Sequence, residues 1–470
     1  MSVFNALTTA VSGINAQSTA FTNLSNNIAN SQTVGYKATT TAFQDFVAGS
    51  LVGNAASSDI SDSVAAVTIQ HVDSQGTASS STDSLAMSIS GSGLFVVSKE
   101  TGASTATATQ FQNTQYYTRN GEFYENKAGY LVNTSGYYLD GYQVDASGKL
   151  GTSLSQLNVS NVTFRPTQTT TITATGTLPS SGTPASVTSQ TPVSIYDGSY
   201  DISNPANSSG DVNLVWTNIG TNTWTVAAES TATSTTSTSG GVTTTKNSGV
   251  TLTGGTSTST TSGTTVSTTT TSPTYTVTFD SSGSLASITD SNGNNVSSTL
   301  SGASAQIPLS VTYADGSTQS INLDLGTIGG TTGMTVGATQ TTPTLSSDSV
   351  TSGTFQSISM QSDGSVMATF DNGDTQLVGK IALANFANVD GLNAVDGQAY
   401  TATASSGSAR IGNVGDNATG TLSVGYVESS TTNLTSDLSA LIVAQEAYSA
   451  NTKIVTTADQ LLQTTIAMKQ

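Results

Sequence analysis

The chain has 470 residues, enough for about three domains and too many for one core. Its 11 Lys and Arg against 29 Asp and Glu give a net charge of −18, which argues against a phosphate-neutralising surface for nucleic acid or for anionic membranes. The absence of cysteine excludes disulfide scaffolds, thiolate metal sites and cysteine nucleophiles, and a histidine-based metal cluster or Ser/His/Asp triad would rest on the single His71, which reads as an ordinary loop or strand residue.

The first 36 residues carry no charged side chain, yet they lack the basic start and the unbroken apolar run of a signal peptide or membrane anchor. Instead Phe4, Leu7, Val11, Ile14, Ser18, Phe21, Ser25 and Ile28 recur in steps of three and four, with Leu24 beside the weak Ser25 position. This is a heptad seam over about four repeats, and it predicts a helix from about residue 3 to about residue 32. Ser2 is placed to cap its start, and Gly35 lies just past its end, where a left-handed residue stops a helix. Within "FTNLSNNIANSQTVGYK", Asn23, Asn26 or Asn27, and Asn30 form a polar stripe beside Phe21, Leu24 and Ile28. Asparagine is a poor helix former. The stripe implies hydrogen-bonded packing in an assembly rather than a helix stable alone, with Asn30 helping to end it.

Between the ends the punctuation is that of short strands and turns. "SLAMSISGSGLFVVSK" alternates Leu85, Met87 and Ile89, then runs Leu94 to Val97 as a buried strand. The aromatic-rich stretch that follows predicts a β-meander with turns at Asn120-Gly121, Gly129, Gly136, Asp140-Gly141 and Gly148. Residues 166–354 are poorer in charge and richer in Thr, Ser and Gly, and read as an insert. Its low-complexity part, residues 230–273, reads as a mobile surface loop, with exposed strands the alternative. After residue 355 the tighter alternation returns, as expected of one β domain interrupted by another.

At the far end Leu434, Leu438, Leu441, Gln445, Tyr448, Thr452, Val455, Asp459, Leu462 and Ile466 again alternate by four and three. Asn433 or Thr435 can cap this helix and Asp437 suits the positive end of its dipole. Over residues 435–468 it would be roughly 50 Å long. The expected fold is mainly β and multidomain, with long terminal helices pairing as a coiled coil. Residues 1–36 with 430–470 make the helical unit, 37–71 a connector, 72–165 with 355–429 a β-rich core, and 166–354 an outer β insert.

No motif assembles an active site. Ser92 lies between Gly91 and Gly93 but lacks the following helix, acid and histidine of a nucleophile elbow. "DSNGNN" (residues 290–295) and "DNGD" (residues 371–374) lack the sixth-position glycine and distal glutamate of a calcium loop and read as hairpin turns. No phosphate-cradling loop is present, so neither cofactor nor metal is expected.

Three blocks resemble the axial proteins of the bacterial flagellum, the rod and hook family. They are "SGINAQSTAFTNLSNNIANSQTVGYKATTTAFQDF", where Thr33, Gly35, Tyr36 and Lys37 follow the Asn-rich helix end; "TDSLAMSISGSGLFVV" through "YTRNGEFYENKAGYLVNTSGYYLDGY"; and the last helix with Gln445, Tyr448 and Asn451. Leu94 stands where an aromatic is more usual, Thr431 and Thr432 replace Asn-Val, and Glu446 replaces a basic residue. The stretch "DGSVMATFDNGDTQLVGKIALANFANVDGL" and the long Thr/Ser-rich insert suit a hook subunit of that family better than a distal-rod one. The resemblance implies a structural, non-enzymatic subunit that polymerises with itself into a flexible tube carrying motor torque. It further implies export without a cleaved signal peptide, a place in the hook outside the cell, and contact with rod, cap, junction and type III export proteins. Neither nucleic acid nor membrane insertion is implied. Interface residues are expected at Leu7, Val11, Ile14, Phe21, Leu24, Asn27, Ile28, Asn30, Gly35, Tyr36, Leu438, Leu441, Gln445, Tyr448, Asn451, Val455 and Leu462. The alternatives are another axial component, or a secreted adhesin with calcium-dependent β-modules.

Overall fold

A computed structural model describes residues 3–46, 63–102, 110–160, 162–180, 185–189, 191–239, 242–296 and 300–468. Two helices bracket a β-rich, multidomain body. The first, α1, spans Val3–Ala29, and the last, α2, spans Leu434–Ala467. The Asn433 side chain caps α2 by accepting from the Ser436 amide, while the proposed cap Ser2 lies outside the described residues. α1 ends three residues earlier than the period suggests. Both the Asn30 amide and its side chain bond to the carbonyl of Asn26, and the chain turns through residues 30–34 before reaching left-handed Gly35.

The strands Thr39–Phe46 and Ser63–Gln70 pair antiparallel, from Thr39 opposite Gln70 to Phe46 opposite Ser63, and pack on α1. Beyond them a twelve-stranded sheet joins strands from residues 94–156 with strands from residues 355–413. Its central strand, Thr375–Asn385, pairs with Ser365–Phe370, Tyr137–Val144, Arg410–Asn413 and, at Leu383 and Ala384, Leu94–Lys99. One face buries a cluster built on Phe95, Phe123, Leu139 and Phe370, the other a smaller cluster around Leu94, Tyr117 and Phe386.

Asp140-Gly141 is not a turn. It sits inside the strand Tyr137–Val144, with Gly141 pressed so close to its neighbour that a Cβ there would lie 2.3 Å from the Lys380 carbonyl oxygen. The glycine serves close strand packing, and Asp140 is thereby buried at 2% exposure. Its Oδ2 accepts a 2.6 Å bond from Ser98 Oγ, and its Oδ1 has no partner. The turns expected at Gly129, Gly136 and Gly148 do form, each beginning with an Asn or Asp whose Oδ1 accepts the amides two and four residues on.

Residues 171–347 contribute a six-stranded and a nine-stranded sheet that share one core, with Trp216 and Trp224 fully buried. The chain enters and leaves this region side by side: the Thr167 amide donates to the Val350 carbonyl at 3.0 Å, and the Val350 amide to Thr167 Oγ1 at 2.8 Å. The expected mobile loop at 230–273 is instead regular structure. It continues the strand Thr223–Ser239 and forms Val242–Ser248, Val250–Leu252, Ser257–Ser262 and Thr265–Thr271. Threonine is β-branched and favours extended backbone. Cross-strand hydroxyl pairs such as Thr231–Thr269 at 3.2 Å, Ser237–Thr244 at 2.9 Å and Ser259–Thr268 at 2.9 Å occupy its polar groups.

Candidate assembly interface and its buried joint

α1 packs on α2 and on the hairpin Thr39–Phe46/Ser63–Gln70. On α1 the buried positions are Ala10, Gly13, Ala16, Ala20, Asn23 and Asn27; on α2 the least exposed are Asp437, Leu441, Ala444, Ala447, Asn451, Val455 and Ala458. A Cβ on Gly13 would stand 2.9 Å from Asn451 Nδ2, so the glycine sets the distance of closest approach. This face is turned from the large-residue seam read in the sequence. Leu7, Ile14, Leu24 and Ile28 are half-buried, while Val11 and Phe21 are 44% and 41% exposed. On α2, Leu441, Asn451 and Val455 lie on the inner face, whereas Leu438, Gln445, Tyr448 and Leu462 are exposed. Ile442, Val443, Leu461 and Ile466 are also 57–68% exposed. The large side chains line the outside because alanine and glycine allow closer contact within one copy.

The asparagine stripe divides by role. Asn23 Nδ2 donates to Thr41 Oγ1 at 2.8 Å and to Thr68 Oγ1 at 2.9 Å, pinning α1 to both strands of the hairpin. Asn27 brackets Thr39, donating to its carbonyl at 2.9 Å and accepting from its amide at 3.0 Å, and also accepts from the Tyr36 hydroxyl at 3.2 Å. Asn26 is exposed.

Where α1, α2 and the β body meet, three charges are buried together. Lys37 Nζ lies 2.5 Å from Glu428 Oε1, Arg119 Nη1 lies 3.0 Å from Glu428 Oε2, and all three side chains are at most 5% exposed. The Gly76 amide also donates to Glu428 Oε1 at 2.7 Å, Lys37 donates to the Ser74 carbonyl, and Arg119 Nη2 donates to the Gly91 carbonyl at 2.8 Å. Burial pulls the Lys37 ammonium below its ordinary range, against the opposing pull of Glu428. Two cations on one carboxylate need those carbonyl acceptors, since an uncompensated buried charge is costly.

The backbone crosses the same point: the Gly35 amide donates to the Glu428 carbonyl at 2.8 Å and the Thr431 amide to the Tyr36 carbonyl at 3.1 Å. Gly35 is left-handed at φ 71°, and a Cβ there would lie 2.6 Å from the Asn120 amide nitrogen. Thr431, one of the unusual threonines, uses its Oγ1 to accept from the Ala38 amide at 2.8 Å. Tyr36 is half-buried near the first turn of α2, and its hydroxyl is pushed up by burial and then by the Asp437 carboxylate. Of this joint, sequence reasoning found Gly35, Tyr36 and Lys37 and missed Arg119 and Glu428. Only Glu428 carried a signal, as the one charge in the strand Tyr426–Glu428; Arg119 follows the strand Tyr116–Thr118 with Glu122 close by and had none.

The remaining candidates have other partners. His71 Nε2 lies 2.8 Å from Thr40 Oγ1. Asp290 Oδ1 accepts from the amides of Asn292 and Asn294 and so holds its turn, while Asp371 Oδ1 accepts from the Thr354 amide and ties the end of the strand Ser365–Phe370 to the start of Phe355–Met360. Among the described residues no helix is long and apolar enough to cross a membrane.

Three family models match in chain order. Residues 7–37 match the flagella basal body rod protein, residues 88–179 the flagellar hook protein FlgE/F/G D1 domain, and residues 423–468 the flagellar basal body rod FlgEFG protein C-terminal region. The joint thus draws Lys37, Arg119 and Glu428 from one matched segment each. The chain belongs to the flagellar rod and hook protein family. It is 27% identical to the flagellar hook protein FlgE of Escherichia coli (strain K12) over 99% of this chain and 100% of that one, and 28% identical to that of Brucella abortus over 100% of both. A Helicobacter pylori FlgE is 38% identical over 32% of this chain and 21% of its own length. The crystal structure of H. pylori FlgE2 aligns at 14% identity and a TM-score of 0.33, covering 74% of this chain and 100% of that one. The function of the chain is that of a structural subunit of the flagellar hook.

Proposed function

We propose that the subunit assembles with itself through its terminal helices, residues 1–36 with 430–470, which pair as a coiled coil and become stable when neighbouring copies cover them. The observation that carries this reading is the outer surface of α2, where Ile442, Val443, Leu461 and Ile466 stand exposed in a single copy. Burying each contributes about 2 kcal/mol before the cost of association. The interface residues are the exposed Val11, Phe21, Leu438, Gln445, Tyr448 and Leu462, set by inward contacts of Leu7, Ile14, Leu24, Ile28, Leu441, Asn451 and Val455. Asn27, Asn30, Gly35 and Tyr36 fix how α1 leaves for the β body. A head-to-tail contact repeated without closing gives a helical tube.

In that tube the helices form the inner layer, residues 72–165 with 355–429 the β core, residues 37–71 the connector and residues 166–354 the outer layer. The strand pairing between residues 94–156 and 355–413 supports this division. The tube is a flexible joint passing torque from rod to filament. Its partners are further copies of itself, the rod proteins, the hook cap, the junction proteins and the type III export apparatus, through which the chain leaves the cell without a cleaved signal peptide. Catalysis has no part in this role.

Sedimentation tests the reading. The full chain is expected to polymerise, and a chain lacking residues 1–36 and 435–470 to stay monomeric and β-rich. A truncated form that assembles as readily as the full chain refutes it.

A further inference from the structure

The Thr/Ser-rich segment forms a four-stranded wing, in the order Val242–Ser248, Thr223–Ser239, Thr265–Thr271, Ser257–Ser262. Lys246 is the only charged residue from 230 to 273, in a chain of net charge −18. Like copies repel over most of their surface, and here they do not.

The two outer strands are built differently. Folded sheets guard free edges with charges, proline, bulges or very short strands. Val242–Ser248 carries Lys246. Ser257–Ser262 has no charge and no proline, pairs without a bulge from Ser257 opposite Thr270 to Ser262 opposite Thr265, and exposes all six residues. Its other side has no strand partner among the described residues. The Thr271 amide donates to the Thr256 carbonyl, so by alternation residues 256, 258, 260 and 262 face the inner strand. Ser257, Ser259 and Thr261 therefore direct their backbone donors and acceptors outward. The Thr236 amide donates to the Thr264 carbonyl, which by the same alternation turns Thr243, Thr245 and Asn247 outward on the opposite edge.

We infer that the Ser257–Ser262 edge pairs with the Val242–Ser248 edge of a second copy of this chain, continuing the wing's sheet from subunit to subunit. The occupant is the opposite edge because joining unlike edges of one sheet is head-to-tail and does not close, as the helical polymer requires, whereas like edges would close a dimer. Lys246 then meets an uncharged strand. Register in this contact is weakly specified because nearly every side chain in it is a hydroxyl, so a two-residue slip exchanges Ser or Thr for Ser or Thr. The inference rests on the homopolymer reading.

The chain has no cysteine, so introduced thiols report without background. Ser259→Cys and Thr245→Cys, made in separate full-length chains, are mixed and treated with a short bismaleimide. The expected product is the mixed 259–245 dimer, with little from either variant alone. A Thr261→Cys chain should likewise cross-link to the Thr245→Cys chain, and that 261–245 yield should fall at least tenfold when Ser259→Pro or Ser259→Lys is added to the Thr261→Cys chain. Proline on an outward amide is tolerated within an edge strand, and unchanged thermal midpoints show that both variants fold. Absence of the mixed dimer, cross-linking of Ser259→Cys to itself alone, or full yield despite both substitutions overturns the inference. Sedimentation is scored separately: polymer without the cross-link defeats the wing contact and leaves the helical reading standing, while failure to polymerise defeats the helical reading.

Discussion

Asp140 makes the stability of the β body depend on pH in an unusual direction. Its carboxyl is buried in the strand Tyr137–Val144, accepts from Ser98 Oγ, and leaves one oxygen unpartnered. Gln156 Nε2 donates to the same Ser98 Oγ at 3.1 Å, and the Tyr117 hydroxyl is raised by burial and by Asp140. Burial outweighs the hydrogen bonds and pushes Asp140 up to about 7 from 3.8. A folded value above the unfolded one means that the folded state holds a proton the unfolded chain releases. The stabilisation is therefore complete below pH 4 and lost as pH rises to 7, by about 4 kcal/mol in all at about 1.4 kcal/mol per pH unit. About 3 kcal/mol of that loss falls between pH 5 and pH 8. Asp140→Asn removes the titration and keeps the size of the side chain. Urea unfolding of both proteins at the two pH values, followed by tyrosine near-ultraviolet circular dichroism, measures the difference. Trp216 and Trp224 both lie in the insert core, so tryptophan fluorescence supplies an internal control. The wild type should lose about 3 kcal/mol more than Asp140→Asn on going from pH 5 to pH 8. Equal losses would show that Asp140 is already ionised in the folded protein.

Three further substitutions test the joint and the asparagine stripe. Glu428→Ala leaves Lys37 and Arg119 buried without their carboxylate and should destabilise the protein by about 3–5 kcal/mol in urea titration; a loss below about 1 kcal/mol would mean that water reaches the site. Asn27→Ala strips Thr39 of two hydrogen bonds and should cost about 1–3 kcal/mol, whereas Asn26→Ala, on the exposed face, should be neutral or slightly stabilising. Equal effects at the two positions would contradict the division of roles along the stripe.

The helices were legible because periodicity and capping are local: Asn433 was readable as a cap, and α2 begins one residue from its expected start. Which face turns inward was not. Periodicity weights large apolar side chains, while α1 buries Ala10, Gly13, Ala16 and Ala20 and α2 buries Ala444 and Ala458, faces whose value lies in what they lack. Asp140-Gly141 was misread for a similar reason, since the same dipeptide serves a hairpin or a tight strand contact depending on a neighbour more than 200 residues away. The Thr/Ser segment reads as a loop because low complexity and low hydropathy go with disorder, but threonine stiffens the backbone towards strands and its hydroxyls satisfy one another across the ladder. Arg119 and Glu428 meet only after the sheet has formed, across 309 residues of sequence.

The hydrogen-bonded pair Thr167 and Val350 has a mechanical consequence. Force travelling along the backbone enters and leaves residues 171–347 through two adjacent segments, which Thr167 and Val350 clasp at their base and which stay bonded through Asp348 to Thr170 and Thr171. A pull between the ends of the chain is transferred across that clasp, and the tryptophan-centred core beyond it lies off the path of force. The clasp therefore shields that core from a pull along the chain, and any load on residues 171–347 reaches them only through contacts they make themselves, not through their own backbone ends.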